Sequence, residues 1–381
     1  MDALESATQK ELRELTRKYA LQHMQPSIEE DEKNQTFRPE WIQGLGQLGL
    51  TGVPLPEAYG GAGLGYSDYV IVLQELAAVS ASYAISVAVT GLVQVILSQF
   101  GTPEQKEKWI RPLAEGRAIG SFSLSEVGSG SDAANLRTVA KSDGTDYVLQ
   151  GNKHWATQAD SADVILVMAR TGGPGPSGIS TFLVEKGAPG LSFGKREKKM
   201  GCHTSHTMEI VLDHVRVPLD HRIGLEGEGF KIAMAALDSG RITIAAAALG
   251  ISHAALEIAI RHAQHREQFG KPIIEFQGVS FMLADMAVQW DASQLLVQRA
   301  AQLKDRGLPY SQAAAMSKLF ATDMAMKVTT DAVQVLGGSG YTQDFPVERY
   351  MREAKVLQIV EGTNQIQRMI IGRNLSEGLW Q

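Results

Sequence analysis

Two long regions of helical patterning flank a shorter region of β-type patterning. The first helical region contains apolar residues at helical spacing within 4–21, and further helical patterns at 41–50 and 69–99. Short β-rich runs bounded by Gly, Asp and Pro follow, at 145–151, 163–169, 179–185 and 208–217. Helical patterns return at 228–268, 273–304, 310–336, 346–358 and after Glu361. The pattern therefore changes near residue 118 and changes back near residue 226.

This order predicts a mostly α-helical chain with a β-domain in the middle. We expect domain limits of 1–117, 118–225 and 226–381. The regular strand–helix alternation of a doubly wound sheet is missing from the pattern. No repeat of fixed period is visible, which argues against a solenoid.

One uncharged stretch, from Leu76 to Pro103, is long enough to span a bilayer. Hydroxyl and amide side chains are scattered through it, and its flanks, Glu75 and Glu104, provide no positive anchor. We expect a buried helix rather than membrane insertion. The N-terminal MDALESATQKELREL lacks the apolar core of a signal peptide. We therefore expect a cytoplasmic protein, or a matrix protein if a presequence has been removed.

Composition narrows the function classes. The 381 residues carry a formal net charge of −6, and no basic run stands out, which argues against a nucleic-acid partner. The single cysteine excludes an internal disulfide and a four-cysteine iron–sulfur cluster. Two histidine pairs, His203/His206 and His262/His265, have no further ligand at suggestive spacing, so we predict no metal site. Glycine is the unusual component, with 38 residues.

A glycine pattern at Gly44, Gly46 and Gly49 matches the dinucleotide fingerprint in letters only. That fingerprint requires a strand before the turn and a helix after it. The residues before Gly44 do not have a strand pattern, and LTGVPLPE follows Gly49. We therefore interpret these glycines as a helix end and a turn. The chain also lacks the phosphate-binding GxxxxGK[ST] and the GxSxG of hydrolases.

The segment LSEVGSGSD, residues 124–132, alternates glycine with serine. Such a loop can direct several backbone N–H groups and hydroxyls at one point, which suits a phosphate, a flavin edge or a polar tail. From the loop alone, an ordinary connection into the β-domain is the better interpretation.

The segment EGTNQIQR, residues 361–368, begins with a carboxylate just before a predicted helix cap at Thr363 or Asn364. Glu361 is either a charge near a helix dipole or a general base on a tight turn. The apolar residues that precede it would raise its pKa, as a general base requires. Composition alone leaves both interpretations open, as it does for DSGR at 238–241 and REQF at 266–269.

Together these segments resemble the acyl-CoA dehydrogenase family over nearly the whole chain. The ordered motifs are LSEVGSGSD, GNKHWAT, EGEGFKIAMAALDSGR, REQFGKPI, AVQVLGGSGY and VEGTNQIQRMIIGR. The resemblance implies an N-terminal helical domain, a β-barrel-like middle domain and a C-terminal four-helix bundle.

The resemblance also implies a reaction, the FAD-dependent α,β-dehydrogenation of an acyl-CoA thioester to the trans-2-enoyl-CoA. Glu361 would abstract the α proton while the β hydride passes to flavin N5, and electrons would pass to electron-transfer flavoprotein. A branch of the family carries its base just before the arginine of DSGR, where this chain has Gly240. The enzyme would be a homo-oligomer, usually a tetramer. A flavin oxidase of the same fold and a non-enzymatic helical scaffold are the alternatives.

Site residues follow from the resemblance position by position. Those expected to line the flavin are Phe122, Leu124, Ser125, Gly130, Trp155 and Thr157. Other FAD contacts are Ser131, Arg266, Phe269, Thr363 and Gln365, with Gln334 and Gly338 from a neighbouring subunit. Substrate contacts are Ser131, Asp238, Arg241 and Gly362.

The chain departs from the family pattern at three places. Val127 replaces a frequent proline, and Val360 replaces a frequent tyrosine before the base. Where glutaryl-CoA-type members use an arginine, this chain has only Ser82 and its neighbours. A dicarboxylyl substrate is therefore not expected, and the acyl chain could be short, medium, branched or ring-bearing.

Overall fold

The structure is a computed structural model that describes residues 5–378. Its N-terminal region consists of helices. Leu4, the first position of the predicted helical pattern, lies outside that range. The helices are α1 (Ala7–Tyr19), continued by a π-helical turn (Ala20–Met24), α2 (Ile28–Asn34), α3 (Pro39–Gln47), α4 (Tyr66–Val79), α5 (Ala81–Phe100) and α6 (Pro103–Ala114). The pattern at 69–99 is thus two helices. The chain breaks at Ser80, whose extended backbone begins α5 and whose Oγ accepts a hydrogen bond from Tyr83 N at 3.4 Å.

Strands form the middle region. They are β1 (Gly120–Ser123), β2 (Val139–Ser142), β3 (Asp146–Thr157), β4 (Val164–Arg170), β5 (Ile179–Glu185), β6 (Leu191–Arg196), β7 (Thr207–Pro218) and β8 (Arg222–Ile223). Seven follow one another in the order β6-β7-β3-β2-β4-β5-β8, and β1 pairs in parallel with β4. In the register Leu166 pairs with Leu183, and Leu149 with Val215. The sequence did not predict the short strands β1, β2, β6 and β8.

The C-terminal region returns to helices. They are α7 (Gly229–His265), α8 (Gln277–Asp305), α9 (Ser311–Leu336), a single turn α10 (Gly338–Tyr341), α11 (Val347–Leu357) and α12 (Asn364–Ser376). A short hairpin of β9 (Glu267–Gln268) and β10 (Lys271–Pro272) separates α7 from α8. The predicted order of helical, β and helical regions is confirmed. The domain limits 1–117, 118–225 and 226–381 stay a prediction.

Helix α7 connects the two helical regions, because it packs against α4 and α5 as well as α8 and α9. Small residues allow the close contact with α4. A Cβ atom at Gly250 would lie 2.1 Å from the backbone oxygen of Gln74. One apolar core therefore contains residues from both helical regions, including Leu73, Tyr83, Leu249 and Met286.

Two helices, α5 and α7, are long and apolar enough to cross a membrane by length and composition. Of their most apolar windows, 94% and 78% of the residues are buried inside the protein. Their apolar surfaces are thus already used in helix packing, as expected for the uncharged stretch at Leu76–Pro103.

Candidate active site

Glu361 lies on a left-handed turn between α11 and α12. Its φ is 55° and that of Gly362 is 85°, a conformation that is strained for a residue with a side chain. The turn is held from below by Gln367, whose Nε2 donates to the backbone oxygens of Glu361 at 3.2 Å and Gly362 at 2.8 Å. Thr363 caps α12 by accepting a hydrogen bond from Ile366 N at 3.3 Å. The strain and its support indicate a functional turn.

The carboxyl group of Glu361 points at the middle of α7. A Cβ atom at Gly240 would lie 2.9 Å from both Cδ and Oε2 of Glu361, and 3.1 Å from Cδ2 of Leu92 on α5. Oε2 is buried and has no hydrogen-bond partner among the described residues. Burial raises the pKa of this carboxyl to about 7, against the opposing effect of Arg241 and Lys318. A partnerless carboxylate with such a pKa is suited to accept a proton near neutral pH.

Two cations surround this carboxyl from neighbouring helices. Arg241 on α7 forms an ion pair with Asp238, which also accepts a hydrogen bond from Ser311 Oγ at 2.9 Å. Lys318 on α9 is completely buried, and its ammonium donates to the backbone oxygen of Gly362 at 2.9 Å. The buried Nε of Arg241 has no partner within residues 5–378. That N–H is available to a ligand next to Glu361.

The predicted flavin-lining residues lie on β1, on the loop that follows it and on β3, and β1 packs on α5. The Oγ1 atom of Thr90 on α5 is hydrogen-bonded to Gly120 in β1, at 3.3 Å from its backbone nitrogen and 3.3 Å from its backbone oxygen. Ser121 Oγ in turn donates to the backbone oxygen of Thr157 at 2.7 Å. The same helix carries Leu92, which reaches Gly240. The strand β1, with Phe122, is therefore connected to the Glu361 region by one helix.

The loop 124–132 is fixed at its start by a buried ion pair. Lys153 Nζ donates to the carboxylate of Glu126 at 2.9 Å and to the backbone oxygen of Leu124 at 3.0 Å. Glu126 also accepts from the backbone N–H groups of Arg137 at 2.7 Å and Thr138 at 2.9 Å. In contrast, Gly130 faces open space and Ser131 is exposed. The start of the loop, at Leu124 and Glu126, is thus held in place, whereas its later part, at Gly130 and Ser131, is open to solvent.

Trp155 lies beside this loop on an irregularity of β3. The register between β3 and β7 shifts between Lys153 and Ala156, and Trp155 takes a φ of 64°. A bulge re-aims a side chain, and the indole here is 57% exposed. Ser125 is tied to the same strand by the hydrogen bond from His154 N to its backbone oxygen at 2.9 Å.

These features fit the flat ring of FAD. The exposed indole offers an apolar face, and the buried Ser123 Oγ is without a partner in the described part of the chain. The open glycine-containing edge allows close backbone approach. An exposed aromatic face beside an open, glycine-containing loop edge is the combination that a planar cofactor would use.

A second group of predicted residues lies far from Glu361. Arg266 directly follows α7, and at ~1.5 Å per residue it lies about 39 Å along the helix from Gly240. Phe269 is 95% exposed with a φ of 52°. Gln334 and Gly338 are exposed at the end of α9. One protomer therefore does not bring this group together with the base.

Three more predicted residues follow Glu361 within four positions in the chain. Gly362 and Thr363 belong to the turn, and Gln365 is exposed on the first turn of α12.

Sequence reasoning missed Lys318 and the pair of Lys153 with Glu126. Lys318 has helical spacing to the buried residues Ala314, Ala321 and Ala325 of α9. This spacing in the sequence indicates that Lys318 lies on the buried face of the helix. Within residues 5–378, no group of three or more His, Cys, Asp or Glu side chains could hold a metal ion.

Comparison with known proteins agrees with this arrangement. Family models for the acyl-CoA dehydrogenase N-terminal, middle and C-terminal domains match residues 6–117, 121–215 and 227–376. An acyl-CoA dehydrogenase of Bacillus subtilis is 46% identical over 369 residues, covering 96% of this chain and 97% of the relative.

Two solved structures are similarly close. Butyryl-CoA dehydrogenase from Megasphaera elsdenii superposes with a TM-score of 0.96 at 43% identity, covering 98% of this chain and 100% of the other. A chain from work on the electron transferring flavoprotein of Acidaminococcus fermentans gives 0.96 at 45% identity, covering 98% and 99%. The fold, with its helical, β and helical domains, is the expected one. The chain belongs to the acyl-CoA dehydrogenase family and is an FAD-dependent oxidoreductase.

Proposed function

We propose that the protein dehydrogenates an acyl-CoA thioester between its α and β carbons, with Glu361 as the base that takes the α proton. The observation that carries this proposal is the buried Oε2 of Glu361, which lacks a partner and faces Gly240. The carboxylate, with its pKa near 7, can be ionised before the reaction and protonated after it. Gly240 leaves the space that a base at that position would fill.

FAD, when bound, supplies the acceptor for the hydride from the β carbon. Phe122, Leu124, Ser125, Trp155 and Thr157 would hold the ring, with Gly130, Ser131, Thr363 and Gln365 along its edge. Loss of the α proton places negative charge on the thioester oxygen. We infer that backbone N–H groups of the turn stabilise that charge, since fixed donors are most effective where charge develops.

The substrate is bound beside α7. Asp238 and Arg241 would contact the CoA portion, and Gly362 would let the thioester approach the backbone. Burial raises the pKa of Asp238, while Arg241 opposes this shift. For the acyl group we propose a short monocarboxylic chain, supported by the 43% identity to a butyryl-CoA dehydrogenase. The resemblance puts the arginine of glutaryl-CoA-type members near Ser82, and here the buried Ser82 donates to the carboxylate of Glu32 at 2.5 Å, which does not favour a second carboxylate at that position.

We also propose a homo-oligomer, with a tetramer as the expected form. Helix α8 exposes Phe281, Val288 and Leu295 at intervals of seven residues, so they lie on one face. An apolar stripe of this kind is typical of a contact between copies. The distance between Gly240 and Arg266 supports the same conclusion, because a cofactor site that uses both would take Arg266 and Phe269 from a second copy.

Electron-transfer flavoprotein is the proposed acceptor, supported by the similar chain from work on such a protein. A cytoplasmic location is proposed in the same way, from the similarity to a bacterial enzyme. Rapid reoxidation by O2 of the reduced, product-bound protein would instead favour an oxidase. A purified protein without a flavin spectrum after addition of FAD would favour a scaffold.

The decisive experiment is Glu361→Gln. We expect the variant to bind FAD and butyryl-CoA but to lose the anaerobic bleaching of the flavin band by butyryl-CoA, by at least a thousandfold in rate. Glu377→Gln, the same exchange at an exposed position after α12, is the control and should keep bleaching. Bleaching at the wild-type rate in Glu361→Gln would remove Glu361 from its proposed role.

A further inference from the structure

A completely buried lysine on α9 touches the turn that carries the base. The Nζ atom of Lys318 donates to the backbone oxygen of Gly362 at 2.9 Å and to Oδ1 of Asn364 at 2.7 Å. These two acceptors stand one and three residues after Glu361. The lysine therefore holds the turn at the residue next to the base.

The surroundings of Lys318 are neutral at contact distance. In the part of the chain that the structure describes, no carboxylate oxygen lies within 4 Å of its Nζ. Burial lowers the pKa of Lys318 to about 7, while the more distant carboxylates Glu361 and Asp323 favour the ammonium and Arg241 opposes it, so the side chain carries its charge mainly below that pH. Asp323 is already bonded to Asn364 Nδ2 at 2.7 Å and to Arg368 at 3.0 Å. Glu361, with its partnerless Oε2, is the carboxylate left to balance the ammonium.

A buried cation without a direct counter-ion is unfavourable, so its presence calls for a reason. Both acceptors of Lys318 also have another donor, since Gln367 Nε2 donates to the backbone oxygen of Gly362 at 2.8 Å and Thr322 Oγ1 lies 3.1 Å from Oδ1 of Asn364. A neutral side chain could donate to Gly362. What a neutral side chain could not supply is positive charge next to the base.

We infer that Lys318 is a positioning residue for Glu361: its ammonium fixes the left-handed turn through Gly362 and provides the charge that keeps the carboxylate ionised until it takes the α proton. No proton passes to Lys318 in this role. The proton moves from the substrate α carbon to Glu361, and the ammonium remains where it is. Arg241 on α7 is the second cation facing the carboxyl, while α5 contributes the apolar Leu92.

This inference rests on Glu361 being the base. It predicts that loss of the charge raises the pKa of Glu361 above about 7. An opposite charge nearby shifts a carboxyl pKa by ~1–3 units, so we expect the pH profile to move by about one unit.

The test is Lys318→Met, with Lys318→Gln as a second variant that keeps a donor for Gly362. Anaerobic flavin reduction at saturating butyryl-CoA is measured from pH 5.5 to 9. In both variants the midpoint of the rise in rate should lie about one pH unit higher than in the wild type. At pH 6.5 the rate should fall about tenfold, and this loss should largely recover at pH 9. Lys199→Met, another lysine whose pKa burial lowers, is the control and should keep the wild-type profile.

Each possible result either supports or overturns the role proposed for Lys318. An unshifted profile in folded, FAD-loaded variants would overturn the inference, and so would a loss that is equal at all pH values. Failure of both variants to fold, with Lys199→Met folded, would assign Lys318 a structural role and also overturn it. Thermal unfolding and FAD content of each variant establish which case applies. Persistent bleaching in Glu361→Gln would refute the proposed function instead, whatever Lys318 does.

Discussion

The carboxyl group of Glu361 occupies the space into which a side chain at Gly240 would project. The two residues come from helical segments 121 positions apart, yet a Cβ atom at Gly240 would lie 2.9 Å from Cδ of Glu361. The sequence resemblance gave these positions as two alternative places for a family base. A side chain at position 240 and the carboxyl group of Glu361 would compete for the same space beside α5.

Gly240→Ala should therefore displace the base. We expect flavin reduction by butyryl-CoA to fall at least tenfold, since 2.9 Å is too short for a contact with carbon. Alanine is favoured over glycine inside a helix by ~1 kcal/mol, so the melting temperature should not fall greatly. Gly372→Ala on α12, where a Cβ atom meets open space, is the matched control. Equal reduction rates in the two variants would contradict the proposed geometry.

The pH dependence of the wild-type protein should follow Glu361. The base must be ionised, so the rate of flavin reduction should rise with pH through about 7. The measurement is stopped-flow reduction at saturating butyryl-CoA across pH 5.5–9. A rate that is flat over this range would mean that the carboxyl keeps its ordinary pKa.

The stability of Glu361→Gln should depend on pH as well. The folded pKa of about 7 is above the ordinary 4.5, so between these values the folded state holds more protons than the unfolded state. The wild type therefore loses stability as pH rises through that window, and the variant does not. We expect the variant to gain about 1–2 kcal/mol relative to wild type at pH 8 and to gain nothing at pH 4.5. Urea unfolding at both pH values, at equal FAD saturation, measures the difference.

Lys153→Met should loosen the loop 124–132. It leaves the buried Glu126 without its cation, and breaking a buried ion pair from one side costs about 3–5 kcal/mol. We expect a lower unfolding midpoint and weaker retention of FAD during gel filtration. Lys141→Met, at an exposed position of β2, should change neither quantity. Full FAD retention in Lys153→Met would separate the ion pair from cofactor binding.

Val288→Asp should dissociate the oligomer. It introduces a charge in the middle of the exposed stripe of Phe281, Val288 and Leu295. We expect a smaller mass by sedimentation equilibrium and weaker FAD retention, because part of the proposed FAD site comes from a second copy. Ser192→Asp on β6, also exposed, is the control for added charge. An unchanged mass would show that copies meet elsewhere.

The sequence predicted long elements better than short ones. Helices α7 and α9 are 37 and 26 residues long, whereas β1 has only four residues and follows no alternating pattern. The division of 69–99 at Ser80 was missed because apolar residues continue on both sides of it. Hydrophobicity reports burial, and a break inside a buried region leaves that signal unchanged.

The site was predictable where a motif carried it. The resemblance indicated Glu361 and its turn, but a motif contains no distances, so only the unbroken helix α7 shows how far Arg266 lies from Gly240. Lys318 was missed for another reason. A lysine in a helix is usually exposed, and its contact with Gly362 joins residues 44 positions apart.

The packing of α7 between the two helical regions has a consequence for synthesis of the chain. Helices α4 and α5 find their main partner only after the whole middle region has been made, roughly 130 residues later. At ~5–20 residues per second this interval lasts about 6–26 seconds. Throughout that time the apolar residues of α4 and α5 that later contact α7 lack this partner, although α1, α6 and the strands can cover other parts of the two helices. Because transiently exposed apolar surface promotes aggregation, the yield of native enzyme should depend on how well these faces are shielded while the middle region is made.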